Sequence, residues 1–267
     1  MNRIDQLFKR KKEPICSIFF TAGYPRLDDT ARLVLALEKG GADIIEIGIP
    51  FSDPVADGPV IQKSSRQALE NGMNPDVLFN QLTEIRKLSS IPKLLMGYYN
   101  VIYQYRIEQF IQKCIACHVD GVIIPDLPPE IYERKYRRLF ESADLHFVCL
   151  IAPETPPERK KYLTSLTKGF SYLLSSSSTT GQNGMSHSMN GRIHGFSHTL
   201  MGFGIHDAES FHIACQQADG AIIGSEFIRK INQNDHLKKL MNPDERLKYF
   251  EEITSNFIHK IVRPSKT

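Results

Sequence analysis

Asp43-Ile44-Ile45-Glu46-Ile47-Gly48-Ile49-Pro50 is the stretch that decides the fold. Its four isoleucines predict a strand buried on both faces, as in a parallel sheet covered by helices. A period of two sends Ile45, Ile47 and Ile49 to one face and Ile44, Glu46, Gly48 and Pro50 to the other. Glu46 is then a carboxyl inside a packed layer, where a charge costs several kcal/mol unless it is compensated. Two explanations stay open: an ion pair with a buried Arg or Lys, or a group kept as an acid or base.

Outward from this strand, apolar runs of strand length alternate with amphipathic runs of helix length. Further strands are expected at 15–22, 93–99, 121–126, 146–153, 170–176, 199–204 and 220–225. Helices are expected near 27–40, 61–88, 106–118, 128–143, 156–167, 207–218 and 243–262. Eight strands with a helix after nearly every one predict a closed (β/α)8 TIM barrel, preceded by an extra amphipathic N-terminal segment. The turn Thr21-Ala22-Gly23-Tyr24-Pro25 is no dinucleotide fingerprint, which argues against an open doubly wound sheet. The unit after the sixth strand is the weak one, because Gly184, Gly191 and Gly195 interrupt any helical period there.

Composition narrows the function classes. At 267 residues and 41% hydrophobic content the chain can bury one large core, and no linker or charge block divides it, so residues 1–267 are expected to form a single domain. A net charge of +3 does not argue for nucleic acid, and the basic run Lys9-Arg10-Lys11-Lys12 is expected to be a solvated helix end. Nothing resembles an apolar leader or a membrane span, so a cytoplasmic protein with free thiols is expected from its five cysteines. Cys114-Ile115-Ala116-Cys117-His118 matches the spacing of haem attachment, yet the apolar positions around it predict a packed helix face. Metal is not expected: His187, His194, His198, His206 and His212 lie close in sequence, but glycines spoil the helix that His194 and His198 would need.

In such a barrel, chemistry collects at the carboxyl ends of the strands. That rule gathers Glu46 within the second strand, Asp53 and Asp57 in the loop after it, Tyr98, Tyr99 and Asn100 after the third strand, and Asp126 after the fourth. Gly181, Gly204 and Gly224 follow the sixth, seventh and eighth strands. With Ser225 opening a short helix, they suit a phosphate, which backbone N–H groups at a helix N-terminus can hold.

Several segments together resemble the tryptophan synthase α chain: GADIIEIGIPFSDPVADGP at 41–59, FFTAGYP at 19–25, GVIIPDLPPE at 121–130, GFGI at 202–205 and DGAIIGS at 219–225. They run in order from about residue 15 to residue 231. The resemblance implies a (β/α)8 lyase that splits indole-3-glycerol phosphate into indole and glyceraldehyde 3-phosphate with no cofactor of its own. It implies Glu46 as the acid/base at indole C3 and Asp57 as acceptor for the indole N–H. It further implies apolar walls from Phe19, Tyr98, Ile123, Tyr172, Phe203 and Ile222, and a phosphate cradle from Gly181, Gly204, Gly224 and Ser225. The implied partner is a pyridoxal-phosphate (PLP) β chain in an α2β2 heterotetramer, met by the loop that carries Asp53 and Pro54.

One segment departs from the family. The lid after the sixth strand usually reads Ser, Arg, a small residue, Gly, Val, Thr, Gly, whereas here it is Ser175-Ser176-Ser177-Ser178-Thr179-Thr180-Gly181. An arginine and a glycine are replaced by Ser176 and Ser178. Lid closure excludes water and completes a site. An alternative expectation is therefore an α subunit of impaired catalysis that mainly binds and activates its β chain. A phosphoribosyl isomerase type of barrel is a weaker alternative, opposed by Glu46 and by the loop SDPVADGP.

Overall fold

The computed structural model describes residues 1–175, 197–233, 237 and 242–262. Its strands are β1 (Ile15–Thr21), β2 (Ile44–Gly48), β3 (Lys93–Met96), β4 (Gly121–Ile123), β5 (His146–Phe147), β6 (Leu150–Ile151), β7 (Ser171–Leu174), β8 (Thr199–Gly202) and β9 (Gly220–Ile223). Every pairing is parallel, in the order β5-β4-β3-β2-β1-β9-β8-β7-β6.

The two ends of that order are neighbours in the chain. His146–Phe147 pairs with β4 and Leu150–Ile151 pairs with β7, so the segment 146–151 bridges both ends of the ladder. Val148 N–H donates to Val122 O and Tyr172 N–H to Cys149 O, which carries the hydrogen bonding across the interruption. The expected fifth strand is thus present in two pieces, and the sheet closes through it into a (β/α)8 barrel.

Two apolar layers follow from the strand period. Ile15, Ile44, Leu94, Ile123, Val148, Tyr172, Leu200 and Ile222 pack inside the barrel, while Ile45, Ile47, Phe20 and Ile223 face the surrounding helices. The N-terminal helix Arg3–Arg10 fills the floor. Ile4 and Leu7 join the inner layer, the Asn2 amide donates to Asp120 O and Asp144 O, and Arg3 forks onto the Asp120 carboxylate.

The helices depart from expectation in three places. The predicted helix 61–88 is two helices, Pro59–Glu70 and Pro75–Ile85. Gly72 adopts φ +92° between them, and the Asn74 side chain caps the second by accepting from Val77 N–H, with Pro75 in the first turn. The strand expected to reach residue 99 ends at Met96, and a short helix Tyr99–Gln104 follows. The helix at 128–143 contains a π-helical turn, Tyr132–Tyr136.

The C-terminal helix Pro243–Val262 packs on the helix Asp29–Gly40. Buried Arg246 grips both oxygens of buried Asp29, and the Thr254 hydroxyl donates to Ala36 O at 2.8 Å. All five cysteines are free; Cys114 and Cys117 are buried on the inner face of their helix. No helix among the described residues is long and apolar enough to cross a membrane.

Candidate active site

Glu46 lies at the middle of β2 with 0% exposure, in register with Phe19 on β1 and Leu94 on β3. The Ser17 hydroxyl, also fully buried, donates to Glu46 Oε1 at 2.9 Å. Among the described residues Oε2 has no hydrogen-bond partner and no ion pair reaches this carboxyl. Of the two explanations left open by the strand, the described residues supply no Arg or Lys for the ion pair. Burial pushes Glu46 from the usual 4.5 up to about 8, with the Ser17 hydrogen bond pulling the other way. At neutral pH the group holds its proton.

Asp57 is delivered by the irregular loop between β2 and the helix Pro59–Glu70. Tyr98 fixes it: the phenol donates to Asp57 Oδ2 at 3.1 Å and accepts from Ala56 N–H at 2.9 Å. Phe51 stacks on the Tyr98 ring with 5.1 Å between centroids. Burial raises the Asp57 carboxyl above the ordinary range, opposed by the Tyr98 hydrogen bond. Tyr172, on β7 across the barrel, has its phenol raised by burial first and then by the charges of Glu46 and Asp57. One aromatic ring thus feels both carboxylates.

The apolar residues converge on the same mouth. Ile123, Tyr172 and Ile222 belong to the inner layer, and Phe203 packs against it, with its ring 6.2 Å from that of Tyr172. Phe19 and Tyr98 line a cleft with Gly48, Ile49, Asp57, Ile61 and Met96. Gly48 leaves room for Phe19, because a β-carbon at that position would lie 2.6 Å from Phe19 Cζ and the ring would have to shift. Gly202 likewise leaves room for Tyr172, whose hydroxyl would sit 2.3 Å from an added β-carbon.

Gly204 and Gly224 each follow the carboxyl end of a strand, β8 and β9, which pair in parallel through Met201 and Ala221. Gly204 adopts φ +74°, and Gly224 caps the helix Ser225–Asn232, whose first residue is Ser225. Gly181, the remaining expected cradle residue, lies outside the described residues, as does the lid beyond Ser175. Ser175 itself donates through its hydroxyl to Phe203 O at 3.0 Å. Asp53 is exposed and Pro54 half-buried in the loop before Asp57, beside Val55 at 86% exposure.

The histidines scatter. His198 stacks on Phe8 at the barrel floor, with 4.3 Å between centroids, and His206 is exposed near the rim, where its ring Nδ1 lies 2.7 Å from Gly204 O. His187 and His194 lie outside the described residues. Among the described residues no group of three or more His, Cys, Asp or Glu converges. Ser17 is the residue that sequence reasoning missed; its signal was a hydroxyl near the start of the apolar run ICSIFFT, next in the sheet to a buried acid.

The chain was compared with known proteins. A family model described as "Tryptophan synthase alpha chain" matches residues 6–257. The tryptophan synthase alpha chain of Flavobacterium psychrophilum is 48% identical over 241 residues, covering 88% of this chain and 95% of its own. That of Karelsulcia muelleri is 44% identical over 265 residues, covering 98% and 100%. Among solved structures, the alpha chain from Legionella pneumophila superposes with a TM-score of 0.82 at 30% identity, covering 100% of both chains. This chain therefore belongs to the tryptophan synthase alpha chain family.

Proposed function

We propose that this chain is a carbon–carbon lyase that cleaves indole-3-glycerol phosphate into indole and glyceraldehyde 3-phosphate. The observation that carries the assignment is Glu46: a fully buried carboxyl, raised to about 8, with one oxygen held by Ser17 and the other without a partner among the described residues. Such a group is an acid at neutral pH and becomes a base once it has given up its proton.

In the proposed reaction, Glu46 protonates the indole ring at C3, and positive charge spreads to the ring nitrogen. Asp57, oriented by Tyr98, accepts a hydrogen bond from the ring N–H and stabilises that charge. Glu46, now a carboxylate, takes the proton of the adjacent side-chain hydroxyl. The electron pair of the C–C bond returns to the ring, the hydroxyl carbon becomes the aldehyde, and Glu46 regains its starting state. Phe19, Ile123, Tyr172, Phe203 and Ile222 are proposed to hold the ring, with Tyr98 beside Asp57. Gly204, Gly224 and Ser225, with Gly181, are proposed to hold the phosphate through backbone N–H groups.

The proposed partner is a tryptophan synthase β chain in an α2β2 assembly in the cytoplasm. PLP belongs to that β chain and the α chain needs no cofactor. The exposed loop of Asp53 and Pro54 is the proposed contact. Residues 1–267 are proposed to act as one domain. No observation favours the impaired alternative, whose lid residues past Ser175 lie outside the described residues.

The test is release of glyceraldehyde 3-phosphate from indole-3-glycerol phosphate by the purified chain with its β chain. Glu46→Gln is expected to lower it by about 10²- to 10⁴-fold, the usual worth of a positioned acid/base, while activation of the β reaction with indole and serine persists. Cleavage that survives Glu46→Gln overturns the assignment.

A further inference from the structure

We infer that Ser17 is a positioning residue for this reaction: its hydroxyl engages Glu46 Oε1 and so commits Oε2 to carrying the proton that is delivered and recovered. The inference rests on the lyase reading above and adds to it the identity of the working oxygen. Ser17 and Glu46 sit on adjacent strands, and neither is exposed. In register, Ser17 stands beside Ile44 on one side and Ile222 on the other, so the hydroxyl projects into an apolar layer with the carboxyl 2.9 Å away.

A neutral carboxyl with one oxygen accepting a hydrogen bond carries its proton on the other oxygen. Here the other oxygen is Oε2, which has no partner among the described residues. A proton held there is not engaged by any of them and is presented to whatever enters the mouth. When the proton leaves for indole C3, the Ser17 hydrogen bond to Oε1 becomes charge-assisted and roughly twice as strong, which favours the carboxylate. The base step then draws the proton of the substrate hydroxyl back onto Oε2. Ser17 neither gains nor loses a proton in the cycle.

Ser17 is not itself one of the proposed substrate walls, although Ile222, its neighbour in register on β9, is. Its hydroxyl is engaged by Glu46, and it lies below Phe19 on the same face of β1, toward the floor filled by Ile4 and Leu7. Its removal should therefore spare substrate affinity and change proton transfer. A merely structural serine would behave differently: its loss would lower stability and leave the pH profile in place.

The experiment compares wild type, Ser17→Ala and Ser17→Thr as full-length chains with the β chain, reading kcat, KM and the pH profile of indole-3-glycerol phosphate cleavage. Ser17→Ala is expected to lower kcat about tenfold, the effect of about 1.4 kcal/mol at the transition state, with KM unchanged. It should also move the alkaline limb to higher pH, since the carboxylate loses its donor. Ser17→Thr, which keeps the hydroxyl, should restore both. A wild-type measurement covers the case in which Ser17→Ala fails to fold: the infrared C=O band of protonated Glu46, assigned by its loss in Glu46→Gln, should fall in the hydrogen-bonded range. An unchanged limb in Ser17→Ala, or a band typical of a free carboxyl, overturns the inference. A wild type that cleaves nothing overturns the lyase reading instead.

Discussion

Replacing Glu46 by glutamine removes one titrating group from the barrel interior and nearly preserves its shape. The carboxyl rises from 4.5 to about 8 through burial, so between those values the unfolded chain gives up this proton while the folded chain keeps it. The sign follows directly. The group's contribution to stability is complete below 4.5 and is lost as pH rises through about 8. At about 1.4 kcal/mol per pH unit, that interval sets a ceiling of about 5 kcal/mol. Glutamine adds amide donors where Oε2 had no partner, a cost of about 1–3 kcal/mol that does not change with pH. The informative quantity is therefore a slope. Urea unfolding at several pH values from about 5 to about 8 should show Glu46→Gln gaining on wild type by about 3 kcal/mol across the range. A difference between Glu46→Gln and wild type that stays flat with pH refutes the claim that Glu46 is desolvated without compensation.

Two other substitutions probe the frame around this residue. Gly48→Ala places a β-carbon 2.6 Å from Phe19 Cζ, so the ring must shift about 1 Å to reach ordinary contact; calorimetry should show about 1–3 kcal/mol of destabilisation. Cleavage kinetics should fall further than stability, because Phe19 lines the cleft beside Asp57. Asp29→Leu takes the carboxylate away from the buried Arg246 guanidinium, which keeps its bond to Leu237 O, and should cost about 3–5 kcal/mol in denaturant unfolding, most of which the double variant Asp29→Leu/Arg246→Met should recover.

Much of the barrel was legible because its signals are redundant. The runs at 15–22, 43–50, 121–126 and 220–225 are rich in β-branched or aromatic residues, and the alternation at Ile44–Gly48 placed Glu46 in a buried layer without help from any other element. The errors fall where two weak signals competed. Helix 61–88 reads as continuous by apolar spacing, yet Gly72 and Pro75 sit close enough to stop one helix and start the next. The fifth strand was read as unbroken, since no residue at Val148 or Cys149 marks the switch from pairing with β4 to pairing with β7; closure of the barrel alone demands it. At the site, Glu46 was visible as a residue misplaced in apolar surroundings, and Asp57 through its place in the loop after the second strand. Ser17 and the hold of Tyr98 on Asp57 were not, because a hydroxyl fits many environments and acquires meaning only from what lies across the strand gap or the loop.

The floor helix Arg3–Arg10 has a consequence for how protons travel. With Ile4 and Leu7 seated among Ile15, Ile44 and Leu94, the barrel is a stoppered vessel, closed at the base. Water and substrate therefore do not approach Glu46 from below. In the proposed reaction, a substrate seated above Glu46 then closes the proton inventory: the hydrogen given to the indole ring is repaid from the substrate's own hydroxyl. In deuterated buffer, the isotope that reaches indole C3 is then fixed by exchange of Glu46 before binding, and a substrate already seated shields it from the solvent.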